Sequence, residues 1–205
     1  MHSPTIQNLI RLFSKFPTIG PRAATRFVFY LISQPKEELD QLIKSISELK
    51  EKIKLCKFCF TPFEEDSDLC EICSDQTRDK NILCVIEKES DLISIEKTKK
   101  YKGLYFILGG TVSKLKKDEI EKLRIKELIE RTKNPDNFGI KSPGFNEILI
   151  ATNPTIEGNA TALYIEKKLK LLNLKITHLG RGMPSGGELE YADEETLSDA
   201  LDGRK

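Results

Sequence analysis

Four cysteines carry the clearest chemistry in this sequence. Cys56 and Cys59 form one CxxC pair, Cys70 and Cys73 form a second, and ten residues separate the two. Each pair sets two sulfurs on one tight knuckle. In a cytosolic chain, two knuckles at this spacing favour a closed, tetrahedral thiolate zinc site over disulfides. Four thiolates leave no open position for water, so such an ion holds the 54–77 segment together and performs no catalysis. Around a divalent ion they carry a formal charge of about −2. Lys54 and Lys57, beside the first pair, either offset that charge or are plain surface lysines. Cys84 lies in the apolar run Ile82-Leu83-Cys84-Val85-Ile86 and reads as a small buried hydrophobe.

A second candidate is a pair of carboxylates. Glu87 follows the apolar run at 82–86, and the stretch from Asn153 to Gly158, containing Glu157, follows the run at 147–151. In parallel sheets, ligand sites form at the carboxyl ends of strands, which places Glu87 and Glu157 to approach each other. Such a pair either binds magnesium weakly or caps helices. Support for proton transfer is thin, because His2 is terminal and His178 is expected to end a strand.

The third candidate is charge. With 33 Lys plus Arg against 32 Asp plus Glu, the net charge of +1 cannot draw the whole chain onto nucleic acid or a membrane. Charge is nevertheless segregated. Residues 1–36 contain no acid but five bases, Arg11, Lys15, Arg22, Arg26 and Lys36, whereas Glu188 to Asp202 holds seven acids and no base. Within the basic arm, Ile6, Leu9, Ile10 and Phe13 recur at helical spacing. Pro17-Thr18-Ile19-Gly20-Pro21 then breaks the pattern before Ala23, Ala24, Phe27, Val28 and Leu31 resume it. Two helices thus flank a tight turn, in which Gly20 is expected to adopt a conformation closed to other residues and Pro21 to open the second helix. The free N–H groups of that helix start, with Arg22 and Arg26 one turn apart and Lys15 and Gly20 nearby, suit a phosphate backbone gripped without base reading. A plain αα-hairpin is the alternative.

These residues need scaffolding. A further amphipathic helix carries Leu39, Leu42, Ile43, Ile46, Leu49 and Ile53 on one stripe, which core packing is expected to cover. After Lys80, short apolar runs at 82–86, 104–108, 147–151 and 174–178 alternate with helical segments over roughly 90–99, 118–133 and 156–172, the grammar of a parallel α/β sheet. The chain therefore reads as a multi-domain α/β protein. Residues 1–53 form a helix-hairpin-helix and helical region, 54–77 a small four-cysteine zinc finger, 78–178 an α/β domain and 179–205 a C-terminal loop plus short helix. In that tail Asp193 is the expected cap and Gly203 the stop. Its glycines, Gly180, Gly182, Gly186 and Gly187, do not form a phosphate loop, because no GxxxxGK[ST] pattern exists. No apolar run is long enough to span a membrane, and the first residues lack the features of a signal peptide, so a cytoplasmic location is expected.

Val85-Ile86-Glu87 with Ala151-Thr152-Asn153-Pro154-Thr155-Ile156-Glu157-Gly158 resembles the Toprim domain of topoisomerases, primases and some nucleases. Taken with FPTIGPRAATR, the twin CxxC pairs and GMPSGGELEYAD, the whole chain resembles the RecR family of bacterial recombination mediators. Departures from that family are Thr18 in place of the hairpin's usual glycine, Asn159, the stretch Ser113-Lys114-Leu115-Lys116-Lys117, and an expanded loop at 134–146 read as surface variation. Catalytic Toprim proteins carry aspartates where this chain has Asn153 and Thr155.

The resemblance implies a non-enzymatic DNA clamp in recombinational repair, located in the cytoplasm at the nucleoid. It would bind single-stranded, double-stranded and gapped DNA without sequence preference. With RecO, and in some bacteria RecF, it would load recombinase at single-stranded gaps. DNA contacts fall on Arg22 and Arg26, with Lys15 and Gly20 secondary. Glu87, Asn153 and Glu157 serve RecO or a weakly held magnesium, and the tail and N-terminal helices assemble a dimer or ring-like tetramer. Two other classes stay open: a magnesium-dependent Toprim nuclease or primer synthase using Glu87 and Glu157, and a protein-only adaptor whose basic arm docks on an acidic partner.

Overall fold

The computed structural model describes residues 3–112 and 120–204, and the chain divides into two compact units, Met1–Lys54 and Leu55–Lys205. The first unit is helical: α1 (Pro4–Phe13), α2 (Pro21–Ser33) and α3 (Lys36–Glu51). Ser3 caps α1 by accepting the Ile6 N–H at 3.3 Å, and Pro4 and Pro21 each sit in a first turn, where a missing N–H costs nothing. Phe13 meets Phe27 edge to face at 6.1 Å, and Ala24 and Val28 of α2 are buried.

Two expectations fail in this unit. Gly20 does not supply the unusual backbone, since its φ of −83° and ψ of 171° are ordinary extended values; the left-handed residue is Thr18, at φ 64°. The second concerns α3, where no residue is buried, and Leu42, Ile43, Ile46 and Leu49 are each more than two-fifths exposed. Nothing within this unit buries that stripe, because α1 and α2 satisfy each other and three short helices enclose little volume.

The second unit opens with a two-stranded ribbon, β1 (Lys54–Leu55) against β2 (Pro62–Phe63), and a single turn of helix, α4 (Glu71–Ser74). A four-stranded sheet follows: β3 (Asp79–Ile86), β4 (Gly103–Ile107), β5 (Glu147–Ala151) and β6 (Lys175–His178), in the order β4-β3-β5-β6. All its pairs are parallel, and Ile86 lies opposite both Ile107 and Ala151 while Ile150 lies opposite His178. That register brings the carboxyl ends of all the strands to one edge.

Alternation divides the sheet's apolar residues between two faces. Leu83, Val85, Leu104, Phe106, Ile148 and Ile150 share a core with the four cysteines and with α6 (Ile125–Lys133) and α7 (Ile156–Leu169). Cys84, Ile86, Tyr105 and Ile107 pack with Leu92 of α5 (Glu89–Lys97). A last helix, α8 (Glu194–Asp202), starts at Asp193, whose side chain accepts the Thr196 N–H, and ends at Gly203.

The predicted helix at 118–133 is interrupted after Ile120. Residues 121–124 form turns, in which the Arg124 N–H is diverted to the Leu108 carbonyl at 3.1 Å, and the helix proper begins at Ile125. The start of that predicted helix and the departure at Ser113–Lys117 lie outside the described residues, as does His2.

The 134–146 stretch is not surface variation. Pro135, Ile140 and Phe145 are buried, Phe145 packs on Phe58 of the cysteine segment at 6.0 Å, and Ser142 Oγ donates to the Lys80 carbonyl at 3.0 Å. This loop forms part of the seam between the cysteine segment and the sheet.

Candidate functional site

The four cysteine sulfurs lie within 4.8 Å of one another, and each residue is at most 4% exposed. Metal–sulfur bonds near 2.3 Å give a tetrahedron with edges of about 3.8 Å, so the group has the right size. Backbone donors orient it: Cys70 N–H reaches Cys56 Sγ and Thr61 N–H reaches Cys59 Sγ, both at 3.4 Å. The Ile107 N–H, on the outer side of edge strand β4, donates to the Cys59 carbonyl at 3.0 Å and docks the knuckle to the sheet.

The thiols compete for protons. Hydrogen bonding from Cys59 holds Cys56 well below the ordinary thiol range, while the same neighbour relation holds Cys59 well above it, and hydrogen bonds with burial raise Cys73. Four buried thiols this close cannot all ionise unaided. A divalent cation removes the conflict, so the cluster could hold a metal ion, and its donor set is all sulfur. Cys84 differs in kind: burial alone pushes its thiol up to about 12, which leaves it protonated and unreactive.

At the carboxyl edge of the sheet, Glu87 is 3% exposed and its partner is Asn153 rather than Glu157. Asn153 donates its backbone N–H to Glu87 Oε1 and its Nδ2 to Oε2, each at 2.7 Å. The start of α7 is pressed against this pair: Thr155 caps it by accepting the Gly158 N–H at 3.0 Å. A Cβ on Gly158 would lie 2.0 Å from the Asn153 carbonyl oxygen, so only glycine fits that approach. Glu157 lies exposed on the first turn of α7, next to Gly158. Glu87 thus stands in a carboxylate–amide lock with Asn153. Among the described residues, the cysteines are the only group of three or more candidate ligands this close together.

In the basic arm, Gly20 is the cap residue of α2, and Arg22 and Arg26 follow in its first two turns, both exposed. Lys15 is exposed in the preceding turn. No side chain caps the start of α2 and its first turn holds no acid, so its leading N–H groups and positive dipole end are available to an anion. In the tail, Arg181 stands 3.6 Å from Glu195 and 3.8 Å from Asp199, tying the loop to α8, and His178 is exposed at the end of β6 as expected.

The sequence reading missed a stack of cations and rings beside the cysteines. Arg124 and Arg131 lie 4.4 and 4.3 Å from the Phe60 ring, and Arg131 also lies 4.2 Å from Phe138. The available signal was an arginine on the buried face of a helix, in step with Leu128 and Thr132.

Comparison with known proteins gives three successive matches. Residues 6–50 match the family described as RecR, helix-hairpin-helix; residues 81–180 match the Toprim domain; and residues 182–205 match the family described as RecR, C-terminal. The Recombination protein RecR of Clostridium perfringens is 42% identical over 201 residues, covering 97% of this chain and 95% of its own. That of Rubrobacter xylanophilus is 42% identical over 205 residues, covering 100% and 98%. That of Paenarthrobacter aurescens is 37% identical over 205 residues, covering 100% and 98%. With three successive regions and full-length relatives in agreement, this chain belongs to the RecR family of recombination proteins.

Proposed function

We propose that this chain is a non-catalytic DNA clamp that acts as a recombination mediator, with zinc in its cysteine cluster. The reading rests chiefly on the start of α2, where uncapped N–H groups stand beside two exposed arginines in an arm without acids. Such a surface recognises phosphate and sugar, not bases, and so suits single-stranded, double-stranded and gapped DNA alike. One hairpin offers few contacts. Several copies in a dimer or ring-like tetramer raise the effective concentration at the DNA, and the exposed apolar stripe of α3 together with the tail supports such assembly.

The working divisions are 1–53 for DNA and assembly, 54–77 for zinc, 78–178 for the Toprim domain and 179–205 for assembly. RecO, and RecF where present, are the proposed partners in recombinase loading. Of the three proposed residues for RecO, Glu87, Asn153 and Glu157, the exposed Asn153 and Glu157 are the ones open to contact. The lock between Glu87 and Asn153 favours a structural over a catalytic use of that edge, because both carboxylate oxygens are already engaged. The proposed location is the cytoplasm, at the nucleoid; no helix among the described residues is long and apolar enough to cross a membrane.

The test is binding to gapped DNA across a salt series, wild type against Arg22→Ala with Arg26→Ala. Affinity should fall equally for unrelated sequences. The slope of log affinity against log salt should become shallower by about 0.9 for each duplex phosphate no longer neutralised, or about 0.7 on single strands. Unchanged affinity and slope would refute the assignment of these arginines to DNA.

A further inference from the structure

Arg131 is a buried cation without an acid. It is 7% exposed, and its donors go to backbone carbonyls: Nε and Nη2 to Lys57 O at 3.1 and 2.9 Å, and Nη1 to Glu127 O at 3.4 Å. Among the described residues, the arginines in ion pairs are Arg78 and Arg181; Glu127 and Glu130 share a helix with Arg131, but neither pairs with it. Arg124 brings a second positive charge to the same Phe60 ring. Two like charges converging on one ring in a poorly solvated seam need an anion nearby.

The segment they grip supplies one. Lys57 lies inside the first CxxC, between Cys56 and Cys59, and Phe60 follows Cys59 directly. We infer that Arg131 is a positioning residue of the metal centre: it fixes the first cysteine knuckle through the Lys57 carbonyl and supplies the charge that offsets the metal-bound thiolates. Lys57 itself is a poor candidate for that task. Its Nζ is 4.0 Å from Asp68, and its side chain is half exposed. Arginine suits the position because one planar group can donate twice to a single carbonyl while stacking between Phe60 and Phe138, which a lysine cannot do.

This inference rests on the zinc reading, so the test begins with the metal content of the purified full-length wild-type protein. Less than one zinc per chain, with folding indifferent to chelator, sinks the zinc reading itself. With zinc present, affinity is measured by competition with a colorimetric chelator for wild type, Arg131→Met, Arg131→Lys and Lys57→Met. Arg131→Met should bind zinc about 10- to 100-fold more weakly, the range typical of residues that orient metal ligands, and Lys57→Met should stay within about threefold of wild type.

In the cobalt-substituted protein, loss of the nearby positive charge should move the sulfur-to-metal charge-transfer band of Arg131→Met to lower energy, with Arg131→Lys nearer to wild type; a purely packing role would leave the band in place. Wild-type affinity in Arg131→Met, or an equal loss in Lys57→Met, overturns the assignment. Should Arg131→Met fail to fold, Arg131→Lys decides, because it keeps the charge but lacks the double donor. Zinc binding at least about threefold weaker supports the clamp, and unchanged binding overturns it.

Discussion

Asn153 closes both oxygens of Glu87, one with its backbone N–H and one with its side-chain amide, each at 2.7 Å. The side-chain donor is what makes a carboxylate tolerable at 3% exposure at the end of a buried strand. Asn153→Asp would replace that donor with a second negative charge. We expect a loss of roughly 2–4 kcal/mol of stability, read as a lower urea midpoint with little change in slope. Asn153→Ala, which keeps the backbone bond, should cost roughly 1–3 kcal/mol. Wild-type midpoints in both variants would mean that the lock carries no stability.

The hairpin turn allows an experiment with opposite signs at neighbouring positions. Thr18 holds φ at 64°, a region where a β-branched side chain is strained, so Thr18→Gly should stabilise the protein by roughly 1 kcal/mol. Gly20 has extended backbone angles, and a Cβ there would meet nothing within 4 Å. Gly20→Ala should therefore change stability by less than about 0.5 kcal/mol, its smaller unfolded-state entropy offsetting a weaker cap preference. A large loss from Gly20→Ala with no gain from Thr18→Gly would return the special backbone to Gly20.

Much of this architecture was legible in the residues because it follows from local pattern. The runs at 82–86 and 147–151 predicted strands as short apolar stretches alternating with helical segments, and the twin CxxC pairs predicted a cluster from spacing alone. What sequence pattern hid was the choice of partner. Both Glu87 and Glu157 follow strands, but nothing in the pattern showed that Asn153 would engage both oxygens of Glu87 while Gly158 presses close beside it. Arg131 was invisible for a similar reason: a charged residue is ordinarily assigned to solvent, and its burial depends on Phe60 and Phe138 arriving from other parts of the chain. The stripe on α3 predicted amphipathicity correctly, but the expectation that core packing covers it failed, because periodicity marks an apolar face without naming what buries it.

Acid should expose another pair. The Arg78 guanidinium, with help from the Tyr105 hydroxyl at 2.6 Å, holds Glu96 below the usual carboxylate range. A carboxylate with a lowered folded pKa adds stability above its unfolded value of about 4.3 and loses it as pH falls through the folded value. Glu96→Gln should therefore be less stable than wild type by about 1 kcal/mol at pH 7, with the gap closing below about pH 4. A gap that stays constant from pH 7 to pH 3 would show that the ionised pair is not its source.

The α3 stripe bears most directly on assembly. Leu42, Ile43, Ile46 and Leu49 are 42%, 62%, 56% and 61% exposed on a helix otherwise rich in Lys and Glu. Apolar area withdrawn from water yields roughly 25 cal/mol per Å², so covering this stripe with another copy would be a substantial drive to association. Ile43→Asp with Ile46→Asp should leave helical content intact, because neither side chain is buried within its own unit, yet lower the mass measured by light scattering. DNA affinity should fall with the mass even though Arg22 and Arg26 are untouched, since a clamp that grips through several weak hairpins loses its effective concentration when the copies separate. A double variant of wild-type mass would place the subunit interface elsewhere; one of reduced mass with full DNA affinity would mean that a single hairpin suffices.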